Sequence, residues 1–451
     1  MLRYGLIAVL LVSLLGCSEA EISSGNDSSL RPQTQIKGYL SAYANNQKLN
    51  GSVLITQRDS TIIHEHFGFA NREKRIAIND STKFLIGSIT KPFTAMAILL
   101  LEQDGKLSLT DKLSKYFPDF PKSDSVSIQQ LLTHTSGIRD YHFFKDWKQR
   151  SKTELTPMDV IDQVKTDPYR FAPGTSFRYS NTGYIFLGLI IEKVSGQHFE
   201  DYIKERILNP LDLDQTGVIT NETKPKHLAL GYTTDPEKTT LSEYINYNQP
   251  FTSGNMYSTV WDLQKFTKAV MTSTLLPIEK THEIFDPNHK YYGYGWGFRD
   301  FDGTKAYGHY GGMNGYWGSV TYIPDQETFI CFLTNDDNTP KYTITRDLIK
   351  LLEEDSVDMP LPYDYRKTSQ MTIDHISGSY LIKPGDTLTV NQQNDKLLLQ
   401  ETGQIAYELF QVGENRFVMT MQEFDVSFDK DSIYFQGMVN LIAPKLPSPN
   451  K

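Results

Sequence analysis

Two strand-patterned stretches roughly 220 residues apart, with helix-patterned chain between them, restrict the folds open to this sequence more than any other feature. The first, GSVLITQRDSTIIHEHFGFA at 51–70, is two apolar-alternating runs joined at Arg58-Asp59-Ser60, the pattern of a hairpin. The pattern returns from Tyr291 to Asn335, where GSVTYIP and TFICFLTN are separated by Pro324-Asp325-Gln326. Between them the chain from about 110 to 290 is helical segments and loops, and Tyr184–Val194 is its clearest helix, closed by Ser195-Gly196. Ser88 to Leu101 is apolar enough for a buried helix, stopped at Asp104-Gly105. The economical architecture is α+β: one antiparallel sheet built from both ends, flanked by helices, with a helical subdomain inserted.

Amphipathic helices at 34–48 and 342–354 bracket this unit, which the sequence bounds at 34–356. A proline-bearing linker (357–369) follows, containing MPLPYDY. Residues 370–451 read as a small all-β domain, a barrel or sandwich, with hairpins at LTVNQQNDKLLLQ and FDVSFDKDSIYFQG turning at Gln393–Asp395 and Asp429–Asp431. A length of 451 residues supports this division into a large unit and a small one. The formal charge of −9, without a basic cluster, excludes nucleic acid as a partner, because phosphate contacts need a positive face.

At the N-terminus, Arg3 precedes an apolar run from Leu6 to Leu15, too short to span a bilayer and right for a signal peptide. Its end, Leu14-Leu15-Gly16-Cys17, resembles a bacterial lipobox. That resemblance implies removal of the leader (1–17, with Cys17 becoming the lipidated first residue), a flexible tether at 18–33, and a place in the bacterial cell envelope, periplasmic or surface-exposed. Cys331, in TFICFL, is then left without a disulfide partner and reads as a small buried hydrophobe.

Three short motifs carry chemistry-competent residues. Ser88 and Lys91 share a helix face at i and i+3, so an amine lowered in pKa by burial could deprotonate the hydroxyl. Pro92 lacks the amide that would bond the Ser88 carbonyl, which places Ser88 at the helix N-terminus. The same S-x-x-K spacing at Ser427–Lys430 and Ser448–Lys451 falls on a turn and at the C-terminus. Tyr179 and Asn181, in FAPGTSFRYSNTGY, lie two apart before a buried helix, where phenol and amide can face one cleft. GHYGGMNGY at 308–316 puts His309 among glycines that let a backbone approach closely, and an exposed amide near that of Ser88 would form an oxyanion hole. Each motif recurs elsewhere by chance: Y-x-N at Tyr43–Asn45 and Tyr244–Asn246, H-x-G at His66–Gly68.

Taken in order, S-x-x-K, Y-x-N and H-x-G resemble the signatures of the serine β-lactamase and D-alanyl-D-alanine carboxypeptidase family, in its class C-like branch. IGSITKPFTA, LLTHTSGI (131–138), FAPGTSFRYSNTGY, MYSTVWDLQKF (256–266), YGYGWG (292–297) and GHYGGMNGY stand in that family's order. The resemblance implies that Ser88 is the acylated nucleophile and that Lys91 and Tyr179 form a coupled proton-transfer pair. It implies that Asn181 holds the acyl-side amide and that His309 replaces the third motif's lysine or histidine. Gly311 and Gly312 then contact substrate, the amides of Ser88 and Gly312 forming the oxyanion hole. His309-Tyr310-Gly311 departs from lysine–threonine–glycine and lacks its cation and hydroxyl, which favours peptidase or esterase-like chemistry over dedicated β-lactam hydrolysis.

The expected activity is therefore acyl-enzyme hydrolysis of amide or ester bonds, with no metal or organic cofactor, on a small-molecule or peptide substrate such as a cell-wall peptide. A catalytically silent peptidoglycan- or peptide-binding lipoprotein of the same fold is the alternative. His64 and His66 alternate on one strand face and read as solvent-facing histidines. His134, in LLTHTSGI, reads as a loop-ordering hydrogen-bonder.

Overall fold

The computed structural model describes residues 30–58, 60–144, 146–235, 238–394, 396–402, 406–419, 424–436 and 441–447. The leader, Cys17, most of the tether, Asp59, Asp395 and Ser448–Lys451 lie outside the described residues.

Both ends of the segment build one antiparallel sheet. Its strands are β1 (Gly51–Gln57), β2 (Ser60–Phe67), β3 (Gly297–Phe301), β4 (Thr304–Met313), β5 (Tyr316–Ile323) and β6 (Thr328–Thr334), in the order β3-β4-β5-β6-β1-β2. The register pairs Leu54 with Cys331 on one side and with His64 on the other. β6 is buried throughout, and β1 at all but its last residue, because helices cover both faces of the sheet. Successive residues therefore serve opposite cores. Val53, Ile55, Ile330 and Phe332 join the cluster under α1 (Leu30–Asn45) and the C-terminal helix Lys341–Leu352. Leu54, Cys331 and Leu333 join the larger cluster of the inserted helices.

Two of the inserted helices frame the cleft. In α2 (Thr90–Gln103) every residue from Thr90 to Leu101 is buried, so it is the central rod of that subdomain. Phe93 stacks on Phe266 with centroids 3.8 Å apart, and complete burial of a ring this size contributes about 1.5–3 kcal/mol. α3 (Asn181–Ser195) packs against α2 and stops at Gly196, which takes the left-handed conformation (φ 74°) that glycine tolerates.

Three expectations need correction. The first helix starts at Leu30, not at 34, so residues 30–33 belong to it and not to a tether; Pro32 fits in its first turn, where backbone N–H groups have no helical partner. The C-terminal unit, read as all-β from 370, opens with a short helix ahead of its strands. Ser369 caps this helix, Gln370–Ile376, by accepting from Thr372 N at 3.1 Å, and Ile373 and Ile376 enter the C-terminal core. His64 and His66 do not simply face solvent, since each side chain is 23% exposed and lies beside Asp80.

Beyond that helix come a four-stranded and a five-stranded antiparallel sheet, bridged at Tyr380 and Lys445. Among the described residues, their core is drawn from Ile373 to Ala443. The linker is packed down: Asn46 Nδ2 donates to the Pro360 carbonyl at 2.8 Å, and Lys48 Nζ sits 3.0 Å from the centre of the Tyr363 ring.

Candidate active site

Ser88 sits in a single 3-10 turn, Gly87–Ile89, immediately before α2. The turn is fastened from behind, because Ile86 N donates to the Met256 carbonyl at 3.0 Å and Met256 N donates to Thr90 Oγ1 at 3.2 Å. In front it touches β4. Gly87 has φ 48°, and a Cβ added there would lie 2.6 Å from the backbone of Gly312. A Cβ on Gly311 would lie 1.9 Å from the Ile86 carbonyl oxygen. These glycines let the nucleophile turn and the sheet edge approach to backbone contact.

Lys91 points from the first turn of α2 into the interior and is completely buried. Its Nζ donates to Asn181 Oδ1 at 2.7 Å and to the Ser253 carbonyl at 2.8 Å, and Ser88 Oγ lies 3.0 Å away. Burial lowers its pKa to about 7, with Asp140 pulling the other way. A neutral amine has two N–H groups and one lone pair. In the neutral form, with Asn181 and Ser253 taking the two N–H groups, the lone pair would be free to accept the Ser88 proton.

Tyr179 hydrogen-bonds to Ser88, and its ring centre lies 4.9 Å from Lys91 Nζ. Burial pushes the phenol well above its ordinary pKa; the Ser88 bond opposes this, while Tyr184 and Asp140 add to it. Tyr179 therefore stays protonated where Lys91 is already losing its proton.

Asn181, at the start of α3, bridges charges. Its Oδ1 accepts from Lys91, while its Nδ2 donates to Asp140 Oδ2 at 2.8 Å and approaches His142 Nδ1 at 3.2 Å. Contact with a substrate amide would require one of these bonds to open. Sequence reasoning missed Asp140. This buried carboxylate accepts from Asn181 N and Nδ2 and from His142 N. Burial raises its pKa, but His142 and the donated hydrogen bonds win, so the net shift is downward. Its signal in the sequence was faint, two residues beyond LLTHTSGI.

His309 reaches the cavity wall with both nitrogens engaged: Nδ1 donates to the Tyr310 carbonyl at 2.6 Å, and Tyr292 OH donates to Nε2 at 2.8 Å. Burial first, then Lys91, holds the ring neutral. The guanidinium at this wall comes from the neighbouring strand, where Arg299 lies 3.9 Å from the centre of the Tyr310 ring. His134 orders the loop as expected: its Nδ1 accepts from Ser180 N at 3.1 Å, and its ring packs 4.2 Å from that of Tyr179. The cleft, about 350 Å³, is lined by Ser88, Tyr179, Tyr292, Arg299, His309 and Gly312, among others. Ser88, Lys91, Tyr179, Asn181, His309, Gly311 and Gly312 thus converge on one place. Cys331 is buried on β6 and its thiol is pushed well up by burial.

A sheet covered by helices on both faces, with serine, lysine and tyrosine packed at the head of the central helix, defines a serine hydrolase of the β-lactamase and penicillin-binding-protein superfamily. A family model described as Beta-lactamase matches residues 36–354, and the chain belongs to that family. Penicillin-binding protein 4* of Bacillus subtilis (strain 168) is 30% identical over 410 residues, spanning 84% of this chain and 90% of that protein. The octameric penicillin-binding protein homologue from Pyrococcus abyssi superposes with a TM-score of 0.65 at 26% identity, covering 91% of this chain and 99% of that one. D-amino acid amidase from Ochrobactrum anthropi SV3 shares the fold, with a TM-score of 0.65 at 23% identity over 72% of this chain and 99% of that one.

The packing at Gly87 predicts the outcome of Gly87→Ala. A Cβ there forces the turn away from Gly312, so the rate at which a fluorophosphonate labels Ser88 falls at least tenfold while the chain still folds. A labelling rate equal to that of the unaltered protein would contradict this view of the turn.

Proposed function

We propose that the protein cleaves amide bonds of short peptides through an acyl-enzyme on Ser88, in the manner of a carboxypeptidase or amidase. The observation that carries this reading is the buried Lys91 amine, its pKa lowered to about 7 by burial and its Nζ 3.0 Å from Ser88 Oγ. Ser88 Oγ attacks the carbonyl carbon as its proton passes to Lys91 Nζ, and the amides of Ser88 and Gly312 receive the oxyanion. The proton then reaches the leaving amine through Lys91 and the Tyr179 phenol. Water repeats the sequence to release the acyl group.

Arg299 supports a substrate that carries a carboxylate beyond the scissile bond, since a guanidinium pairs with a carboxylate in two parallel hydrogen bonds. The aromatic walls, Tyr291, Tyr292, Phe298 and Trp317, suit an apolar side chain. Family membership and the amidase and penicillin-binding-protein relatives support peptides and amides over esters. The intact Ser88–Lys91–Tyr179 cluster argues against the catalytically silent alternative.

Labelling with a fluorophosphonate and a fluorescent penicillin, followed by mass spectrometry, tests this. Both probes are expected on Ser88, with no labelling in Ser88→Ala and a rate about 10²–10⁴-fold lower in Lys91→Ala. Because the base must be neutral, the labelling rate climbs with pH through about 7 and levels off above it. Labelling elsewhere, or a pH-independent rate, would overturn the mechanism, and fluorophosphonate labelling without penicillin labelling would point to an esterase.

The leader and Cys17 make the enzyme an exported lipoprotein in the same reading, acting at the cell envelope. A Cys17→Ala variant then leaves the membrane fraction; its retention there would count against lipidation.

A further inference from the structure

Among the described residues, three metal-competent side chains converge at one place, His64, His66 and Asp80, whose ligand atoms lie within 4.8 Å of one another. The two histidines alternate along the edge strand β2 and so share a face, the one on which their partners Leu54 and Ser52 also point. Asp80 reaches them from the loop that leads toward the nucleophile turn. One carboxylate oxygen, Oδ1, lies 2.8 Å from His66 Nε2 and 3.2 Å from His64 Nε2. Three ligands around a tetrahedral zinc stand about 3.3 Å apart, the spacing that metal bonds of about 2.0–2.1 Å impose.

Two further observations point to a ligand and not merely to a hydrogen-bonded trio. His64 Nε2 is closed off from solvent and makes no hydrogen bond, despite its position beside the carboxylate. His66 Nδ1 lies 2.9 Å from the hydroxyl of Ser52, which is buried on β1. A histidine that binds a metal through one nitrogen characteristically donates its other N–H to such an oxygen, which fixes the tautomer and ring orientation. Trp261, on the helix Val260–Met271, packs edge-on against the His64 ring with centroids 5.2 Å apart and limits its rotation. Asp80 is 73% exposed, so an ion can enter from solvent and water can complete its coordination.

We propose that His64 Nε2, His66 Nε2 and an Asp80 carboxylate oxygen bind a first-row divalent transition metal, zinc above all, with the remaining position open to water. Two imidazoles and one carboxylate are a donor set that suits zinc, and calcium or magnesium would require more oxygens. Four strand spacings, about 19 Å, separate β2 from β4 and His309, so the ion is remote from the acyl-transfer chemistry. It cross-links the sheet edge to the 78–82 loop, and it stabilises the folded chain because the unfolded chain holds no such site.

The test uses the untagged full-length chain, freed of metal with a chelator, and zinc chloride as the probe. Equilibrium dialysis is expected to show one zinc per chain, and thermal denaturation a higher Tm with zinc than without. Cobalt(II) in its place is expected to give the visible absorption of a four- or five-coordinate nitrogen and oxygen site. Asp80→Asn, a change at an exposed position that leaves folding intact, loses at least tenfold in zinc affinity. Ser52→Ala loses about 10–100-fold through the His66 orientation. Absence of zinc binding at millimolar concentration, or binding unchanged in Asp80→Asn, would overturn the proposal. Ser88 labelling in the same samples reads the catalytic cluster separately.

Discussion

Burial of a single amine organises this molecule. Lys91 can lie at zero exposure only if its nitrogen finds acceptors, because an unpaired buried ammonium costs several kcal/mol. Those acceptors come from far apart in the chain: the Asn181 amide at the start of α3 and the Ser253 carbonyl beside the strand that fastens the nucleophile turn. Ser88 Oγ stands 3.0 Å from the same nitrogen, one turn of helix away. The inserted subdomain is thereby aligned against α2, and the packing that stabilises the fold also sets the amine's proton affinity.

The same low-polarity surroundings fix the state of their neighbours. His134 and His309 are held neutral, mainly by burial with Lys91 as a further cause, while Tyr179 and Tyr292 are held as phenols. Asp140 is the counterweight. It keeps its charge against the cost of burial because His142 and the hydrogen bonds donated to it hold its pKa down, and through Asn181 it is tied to the lysine. The glycines of β4 have a different role, letting backbone meet backbone at Gly87 and Gly312 so that two amides border one cavity.

Much of this could be read in the sequence, for physical reasons. The apolar patterns of GSVLITQ and TFICFLT, the second a continuous apolar run, marked both strands, and the two pair along their whole length. Ser88, Lys91, Tyr179 and His309 were visible because each sits in a local pattern whose order could be compared with a known family. Asp140, Arg299 and Asp80 were not, since each acts through a partner distant in sequence and none has a local signature. His64 and His66 show the limit well: their spacing was plain, but the third group came from a loop that no periodicity locates. Boundaries slipped at helix starts, at Leu30 with Pro32 in the first turn and at the Ser369 cap, because end effects there outweigh the apolar pattern.

The central claim is that Lys91 is a neutral amine near physiological pH. Nuclear magnetic resonance of protein carrying 13C-labelled lysine, with the Lys91 Cε signal assigned by its loss in Lys91→Met, measures that state directly across a pH titration. The account predicts a transition near pH 7, well separated from the exposed lysines. A Lys91 signal that titrates with them near pH 10.5 would contradict it.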